Sequence, residues 1–255
     1  MVFVAEVAVL FWYVLKALGR RVPSARRLVR RLTPWTGRLH AWILSAPATF
    51  CYIAVFTCFT LVQATTPPHL IDIMTTVNST NLDQLHSHAL TVLATSAFWV
   101  DDHGSGLDLY ILAFATFGAF AERRWGTPRL AVIAVSGHVL GSLLTEAVLR
   151  SAIDRGRAPV RLENATDVGV SYILVASLAA AVLAMHGRAR LAFAAVLLGI
   201  LITPMITSGT VWDLGHIFAA ICGLAVAALC RLAGPLRASQ LQLKHELVKP
   251  VPQQA

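Results

Sequence analysis

The chain reads as an all-α, polytopic membrane protein: a bundle of six transmembrane helices, with a further apolar helix at its N-terminus. Three observations carry that reading. Of 255 residues, 56% are hydrophobic and 13% charged, and the mean hydropathy is +0.67, a balance foreign to soluble domains of this size. Apolar runs close to the ~20 residues that cross a bilayer recur along the chain. Lysine and arginine collect in alternate connections, as they do when loops alternate between cytoplasm and exterior.

Residues 2–18 form the first apolar stretch, interrupted by Glu6 and Lys16. It suits an extra span, an interfacial helix or a signal-anchor. No positive region precedes it and no small-residue cleavage site follows, which favours a retained interfacial or anchoring helix. Arg20, Arg21, Arg26, Arg27, Arg30, Arg31 and Arg38 come next. They are expected to face the cytoplasm and anionic headgroups. The six spans are predicted at 43–64, 107–121, 130–149, 168–186, 191–207 and 213–231. The organisation is therefore an N-terminal segment over 1–40, one membrane domain over 41–231 and a cytoplasmic tail over 232–255.

Orientation follows from the loops. Residues 66–106 contain no lysine or arginine but hold Asp72, Asp83, Asp101 and Asp102. Arg123, Arg124 and Arg129 mark the next connection, Arg188 and Arg190 the one between spans four and five, and Arg231, Arg237, Lys244 and Lys249 the tail. Both termini are thus expected in the cytoplasm. The loop 150–167 dissents, with four arginines partly balanced by Asp154, Glu163 and Asp167. The Ala/Arg/Val-rich composition reads as bacterial, which places the protein in a plasma membrane and gives little weight to the sequons at Asn78 and Asn164.

The net charge of +8 reads as topology; no fold signal for nucleic-acid binding accompanies it, so no nucleic-acid partner is expected. Cys51, Cys58, Cys222 and Cys230 all fall in predicted spans and read as packing residues rather than disulfides. No Cys/His spacing fits a metal site, and neither metal nor cofactor is expected.

The residues able to carry chemistry are Ser171 and His216. Ser171 lies four residues after Asp167 at the head of span four, and His216 three after Asp213 at the head of span six. The topology sends both spans from outside to inside. At 1.5 Å per residue, both side chains sit roughly 4–6 Å inside their helix starts. A serine with a histidine base at one depth can act as a nucleophile. Gly169 and Gly215 flank the pair and permit close backbones. Gly215, Ala219 and Gly223 repeat every four residues on span six, and Ala176, Ala179 and Ala180 give span four small residues. These faces predict tight packing of four against six. The plainer alternative is a backbone-bonded serine and a histidine that joins helices. His138 and Glu146, two turns apart on span three, are either a proton relay or a structural pair. His103 precedes span two, where an outward pocket could recruit it.

Four stretches together resemble the rhomboid superfamily, and within it the actinobacterial rhomboid-like membrane proteins. They are Asn81-Leu82-Asp83-Gln84-Leu85 through Thr95-Ser96-Ala97-Phe98-Trp99, similar to the first-loop segment; Glu122-Arg123-Arg124-Trp125-Gly126, similar to E-x-R-x-G; Gly169-Val170-Ser171-Tyr172, similar to G-x-S-G; and Gly215 through Gly223, similar to H-x-x-G-x-x-x-G. The resemblance covers roughly residues 40–231. It implies a six-helix rhomboid fold and an intramembrane serine protease with Ser171 as nucleophile, His216 as base and no third acid. Substrates would be membrane proteins cut in or near a transmembrane segment. Gly169, Tyr172, Gly215 and His103 are the supporting or oxyanion candidates. The chain departs from the family pattern at several positions. Gly106 and Tyr110 stand where active rhomboids carry H-x-x-x-N, Tyr172 replaces the glycine after the serine, Val175 stands at an aromatic position, and Ala219 replaces a glycine. A catalytically inactive rhomboid-fold protein that binds membrane-protein partners is the alternative. A proton path through His138 and Glu146 is a third reading, without the inverted repeat that transporters show.

Overall fold

The computed structural model describes residues 2–100, 104 and 106–237. All described regular structure is helical. The chain divides into two compact units, residues 1–47 and 48–255.

The first unit is a helical hairpin of α1 (Val2–Leu18) and α2 (Pro23–Leu44). Pro23 opens α2, where its fixed φ suits the first helical turn and its missing N–H is no loss. The Arg26 guanidinium donates to the Gly19 carbonyl at 3.1 Å and ties the turn to the second helix. No residue of α2 is buried.

In the second unit the first helix is α3 (Pro47–Thr65). The acidic stretch 66–106, expected as a connection, contains two helices, α4 (Pro68–Val77) and α5 (Leu82–Thr95), followed by a 3-10 turn at Ser96–Phe98. Asn81 caps α5 by accepting from the Gln84 amide at 2.9 Å. The second predicted span is one helical path in three stretches: α6 (Leu107–Ala113), a π turn at Phe114–Gly118, and α7 (Ala119–Trp125). Gly126, at φ +82°, breaks the path before α8 (Thr127–Asp154). The last three helices among the described residues are α9 (Val170–Ala184), α10 (Gly187–Thr207) and α11 (Val211–Leu232).

Among the described residues, four helices are long and apolar enough to cross a membrane: α3, α8, α10 and α11. With the shorter α9 and the broken path 107–125, they form an all-α membrane bundle. Helix α9 is its centre. Every residue of α9 except Ser171 and Leu183 is buried. That explains its lack of a polar face, since a helix apolar all round must be surrounded. By contrast Leu198, Ile200 and Ile206 on α10 are more than half exposed, as side chains that meet lipid can be. Cys51 and Cys58 also face outward from α3, and all four cysteines are free thiols.

Small residues bring α8, α9 and α11 together. A Cβ at Gly223 of α11 or Gly137 of α8 would overlap Ala176 of α9, and one at Gly141 would press on Ala219. The small face of span six thus meets span four as its spacing predicts. The structure adds α8 as a third partner through Gly137 and Gly141. Glu122, 1% exposed, fastens the opposite end of the bundle from the α9 start. Its carboxylate accepts from the amides of Ala48 at 3.1 Å and Thr49 at 2.7 Å and from the Thr127 hydroxyl at 2.6 Å. One carboxylate so satisfies orphan donors at the start of α3 and anchors the start of α8. Trp125 Nε1 donates to the Ala180 carbonyl at 2.9 Å and ties the same end to α9.

Candidate active site

The first turns of α9 and α11 lie side by side at one end of the bundle. Ser171 is the second residue of α9, and it is partly open where its helical neighbours are buried. His216 is one and a half turns into α11. That helix starts at a capping box: the Thr210 hydroxyl accepts from the Asp213 amide at 3.3 Å, and the Asp213 carboxylate accepts from the Thr210 amide at 2.8 Å. The cap fixes where the helix begins and hence the depth of His216. Its Nε2 lies 2.9 Å from Ser171 Oγ, within hydrogen-bond range. Equal depth, expected from topology, is joined here by the matching helix rotation that spacing alone leaves open.

Asp213, one turn before His216, is engaged elsewhere: its Oδ2 accepts from Thr210 Oγ1 at 2.7 Å and Ser208 Oγ at 3.2 Å. The imidazole is oriented instead by packing. The Tyr172 ring lies 5.3 Å from the His216 ring, centre to centre, tilted by 45°. Tyr172 is 1% exposed. Its hydroxyl donates to Asp167 Oδ2 at 3.2 Å and lies 3.4 Å from Thr145 Oγ1. The slot that holds it is cut by glycines: a Cβ at Gly215 would collide with the Tyr172 hydroxyl and Thr145, and one at Gly141 with the ring itself. Gly215 therefore supports the site by leaving room for Tyr172. Tyr172 stands behind the histidine rather than beside the serine hydroxyl as a donor.

Asp167 is the part of the site that the sequence does not announce. Read along the chain, it is a loop acid that offsets nearby arginines. In the structure it is 3% exposed, and its Oδ2 also accepts from Thr80 Oγ1 at 3.1 Å. Its carbonyl accepts from the Thr80 amide at 2.9 Å, and its amide donates to Ser79 Oγ. Two of the three residues of the sequon at Asn78 are thus buried joints between the segment before α5 and the segment before α9. Nothing local in the sequence pairs positions 87 and 88 residues apart. The one local signal is Asn81, a helix-capping residue type ahead of α5, and it marks a helix start without naming the partner.

Gly169 serves the same end of α9. Its amide donates to the Ser96 carbonyl at 2.9 Å, and a Cβ there would overlap the His138 ring. Its N–H is therefore engaged within the fold, and the residue acts as a spacer. His138 is buried, with Nε2 2.9 Å from the Leu93 carbonyl and 3.3 Å from Ser96 Oγ. It joins α8 to the end of α5. Glu146 is also buried on α8, two turns on. His138 is bonded to Leu93 and Ser96 rather than to Glu146, which fits a structural post better than a continuous relay. His103 lies outside the described residues. Gly106 takes a left-handed conformation (φ +77°) at the cap of α6, and Tyr110 packs against the core; these are the positions matching H-x-x-x-N. Among the described residues, no three His, Cys, Asp or Glu side chains converge as a metal site would need.

The arrangement is thus a serine and an imidazole in hydrogen-bond contact at the head of a central helix. The first amides of that helix have no intrahelical carbonyl to bond and carry the positive end of its dipole. Comparison with curated proteins and with solved structures gave no match. The family model described as rhomboid-like protein matches residues 41–235, which takes in the whole six-helix bundle and both Ser171 and His216, and the chain belongs to the rhomboid-like protein family.

Proposed function

We propose that the protein is an intramembrane serine protease that cleaves membrane proteins in or near a transmembrane segment. The observation that carries this reading is the 2.9 Å contact between His216 Nε2 and Ser171 Oγ. A serine becomes a competent nucleophile when a base takes its proton as it attacks. His216 Nε2 accepts that proton while Ser171 Oγ bonds to the scissile carbonyl carbon. The same nitrogen then protonates the leaving amine, and a water activated by His216 releases the acyl group from Ser171. The amides at the start of α9 supply the oxyanion donors, helped by the helix dipole. Tyr172 holds the imidazole from behind and is in turn held by Asp167. In this reading the enzyme is a multi-pass protein of a bacterial plasma membrane with both termini in the cytoplasm, and no cofactor takes part.

A second reading is favoured by one specific feature. Gly106 and Tyr110 occupy the positions where active rhomboids carry an oxyanion-binding His and Asn, and loss of one such donor costs about 10²–10³ in rate. A rhomboid fold that binds transmembrane helices without cutting them accounts for that departure. Co-reconstitution with a panel of single-span membrane proteins separates the two. Protease action predicts a cleaved product with the wild type and none with Ser171→Ala or His216→Ala. Crosslinked but intact partners, retained equally by Ser171→Ala, would select the binding role. Cleavage that survives both substitutions would overturn the mechanism.

A further inference from the structure

The first unit carries almost the entire charge of the molecule. Residues 1–47 hold eight basic side chains and one acid, Glu6, and so account for +7 of the formal +8. No acidic residue occurs between Val7 and Ile71. Helix α2 sorts that charge by face. At 100° per residue, Arg26, Arg27, Arg30, Arg31 and Arg38 fall in an arc of about 140°. Leu28, Leu32, Trp35, Leu39, Trp42 and Ile43 fall in a separate arc of about 100° on the other side. Helix α1 lies along a third side, where Thr33, Gly37 and His40 line the groove between the two helices and Leu39 and Ile43 border it from the edge of the apolar arc. Both arcs are largely open within the unit: the five arginines are exposed, although Arg26 also bonds the Gly19 and Arg20 carbonyls, and Trp35 is 67% exposed and Leu39 59%, while Leu32, Trp42 and Ile43 are half-buried.

We propose that α2 lies in the plane of the bilayer surface, with its Leu/Trp arc among the acyl chains and its arginine arc on anionic phospholipid headgroups. The helix is about 33 Å long but too polar to cross, and it is absent from the helices apolar enough to do so. An apolar face opposite an arginine face is the form that lies in an interface. Arg38 stacks on Trp35, its side-chain carbon 5.1 Å from the ring centre, which lets a cation sit at the boundary between the two arcs. Only Ser45 and Ala46 separate α2 from α3, a candidate span, so the chain holds α2 within reach of headgroups. That tether favours a lipid surface over RNA, which the charge alone would also attract. The inference stands apart from the proteolytic reading and survives its failure.

The test uses the full chain in nanodiscs, with Cys51, Cys58, Cys222 and Cys230 replaced by alanine. A single cysteine, Leu39→Cys or Arg30→Cys, carries an environment-sensitive fluorophore. In discs of phosphatidylcholine with phosphatidylglycerol, iodide should quench the probe at position 30 and spare the one at 39. In phosphatidylcholine alone, quenching at 39 should rise at least about threefold, since each arginine near an anionic surface contributes about fivefold in affinity. In the discs that contain phosphatidylglycerol, replacing Arg27, Arg30 and Arg31 by glutamine should do the same, while lysine at those sites should keep the shielding. Shielding at 39 that ignores both lipid charge and the glutamine variant would overturn the proposal, as would a probe open in every disc. Shielding that arises in phosphatidylcholine only on adding RNA would assign the face to nucleic acid instead.

Discussion

At the scale of the residue, the site turns on how an imidazole is aimed without an acid behind it. The Tyr172 ring against His216 and its hydroxyl on Asp167 separate two jobs that substitution can tell apart. Tyr172→Phe keeps the ring but drops the hydroxyl that bonds Asp167. It should lower thermal stability by about 1–3 kcal/mol and preserve the reactivity of Ser171. Tyr172→Ala removes the ring as well. It should cost about 3–5 kcal/mol and cut reactivity with a serine-directed probe, because the imidazole loses its backing. Thermal melting in detergent, run beside probe labelling, reads both effects. Gly215→Val should behave like Tyr172→Ala, since its side chain would enter the space of the Tyr172 hydroxyl and Thr145.

At the scale of the element, the geometry depends on three helices that approach closely. A Cβ has no room at Gly137 or Gly223 against Ala176, so Gly223→Leu should push α11 from α9 and part His216 from Ser171. The expected loss is more than the 1–3 kcal/mol typical of overpacking, with labelling lost in the fraction that still folds. Leu198→Ala on the outer face of α10, 59% exposed, should change neither stability nor labelling. At the other end, Glu122→Ala should destabilise by several kcal/mol, because it strands the Ala48 and Thr49 amides together with the Thr127 hydroxyl. These elements also show what the sequence could and could not reveal. Span starts and the small faces are local patterns and were legible as such. The π turn at Phe114–Gly118 and the helices within 66–106 carry no local signature that separates them from a plain span and a loop. The joint of Asp167 with Ser79 and Thr80 is formed by tertiary folding between distant segments, so no spacing rule reaches it.

At the scale of the whole molecule, two units of opposite character share one chain. The second is nearly neutral and built to be surrounded by lipid; the first is strongly basic and buries little. A chain lacking residues 1–40 should therefore still fold into the bundle and keep its Ser171–His216 contact, with melting within a few degrees of the full chain. The depth of Ser171 and His216 was readable from span direction and the distance to each helix start. Their contact was not, because rotation about each helix axis is fixed by Gly223, Ala176 and Gly137 meeting in the bundle.

The most direct measurement is labelling of the purified protein, in detergent and in liposomes, with a fluorophosphonate probe. Wild type, Ser171→Ala and His216→Ala are compared at equal folded amounts. Covalent labelling of the wild type is expected, with loss of at least about a hundredfold in both variants, as general-base catalysis contributes about 10²–10⁴. A folded wild type that stays unlabelled in both environments, or label that persists in His216→Ala, would contradict an activated serine at Ser171.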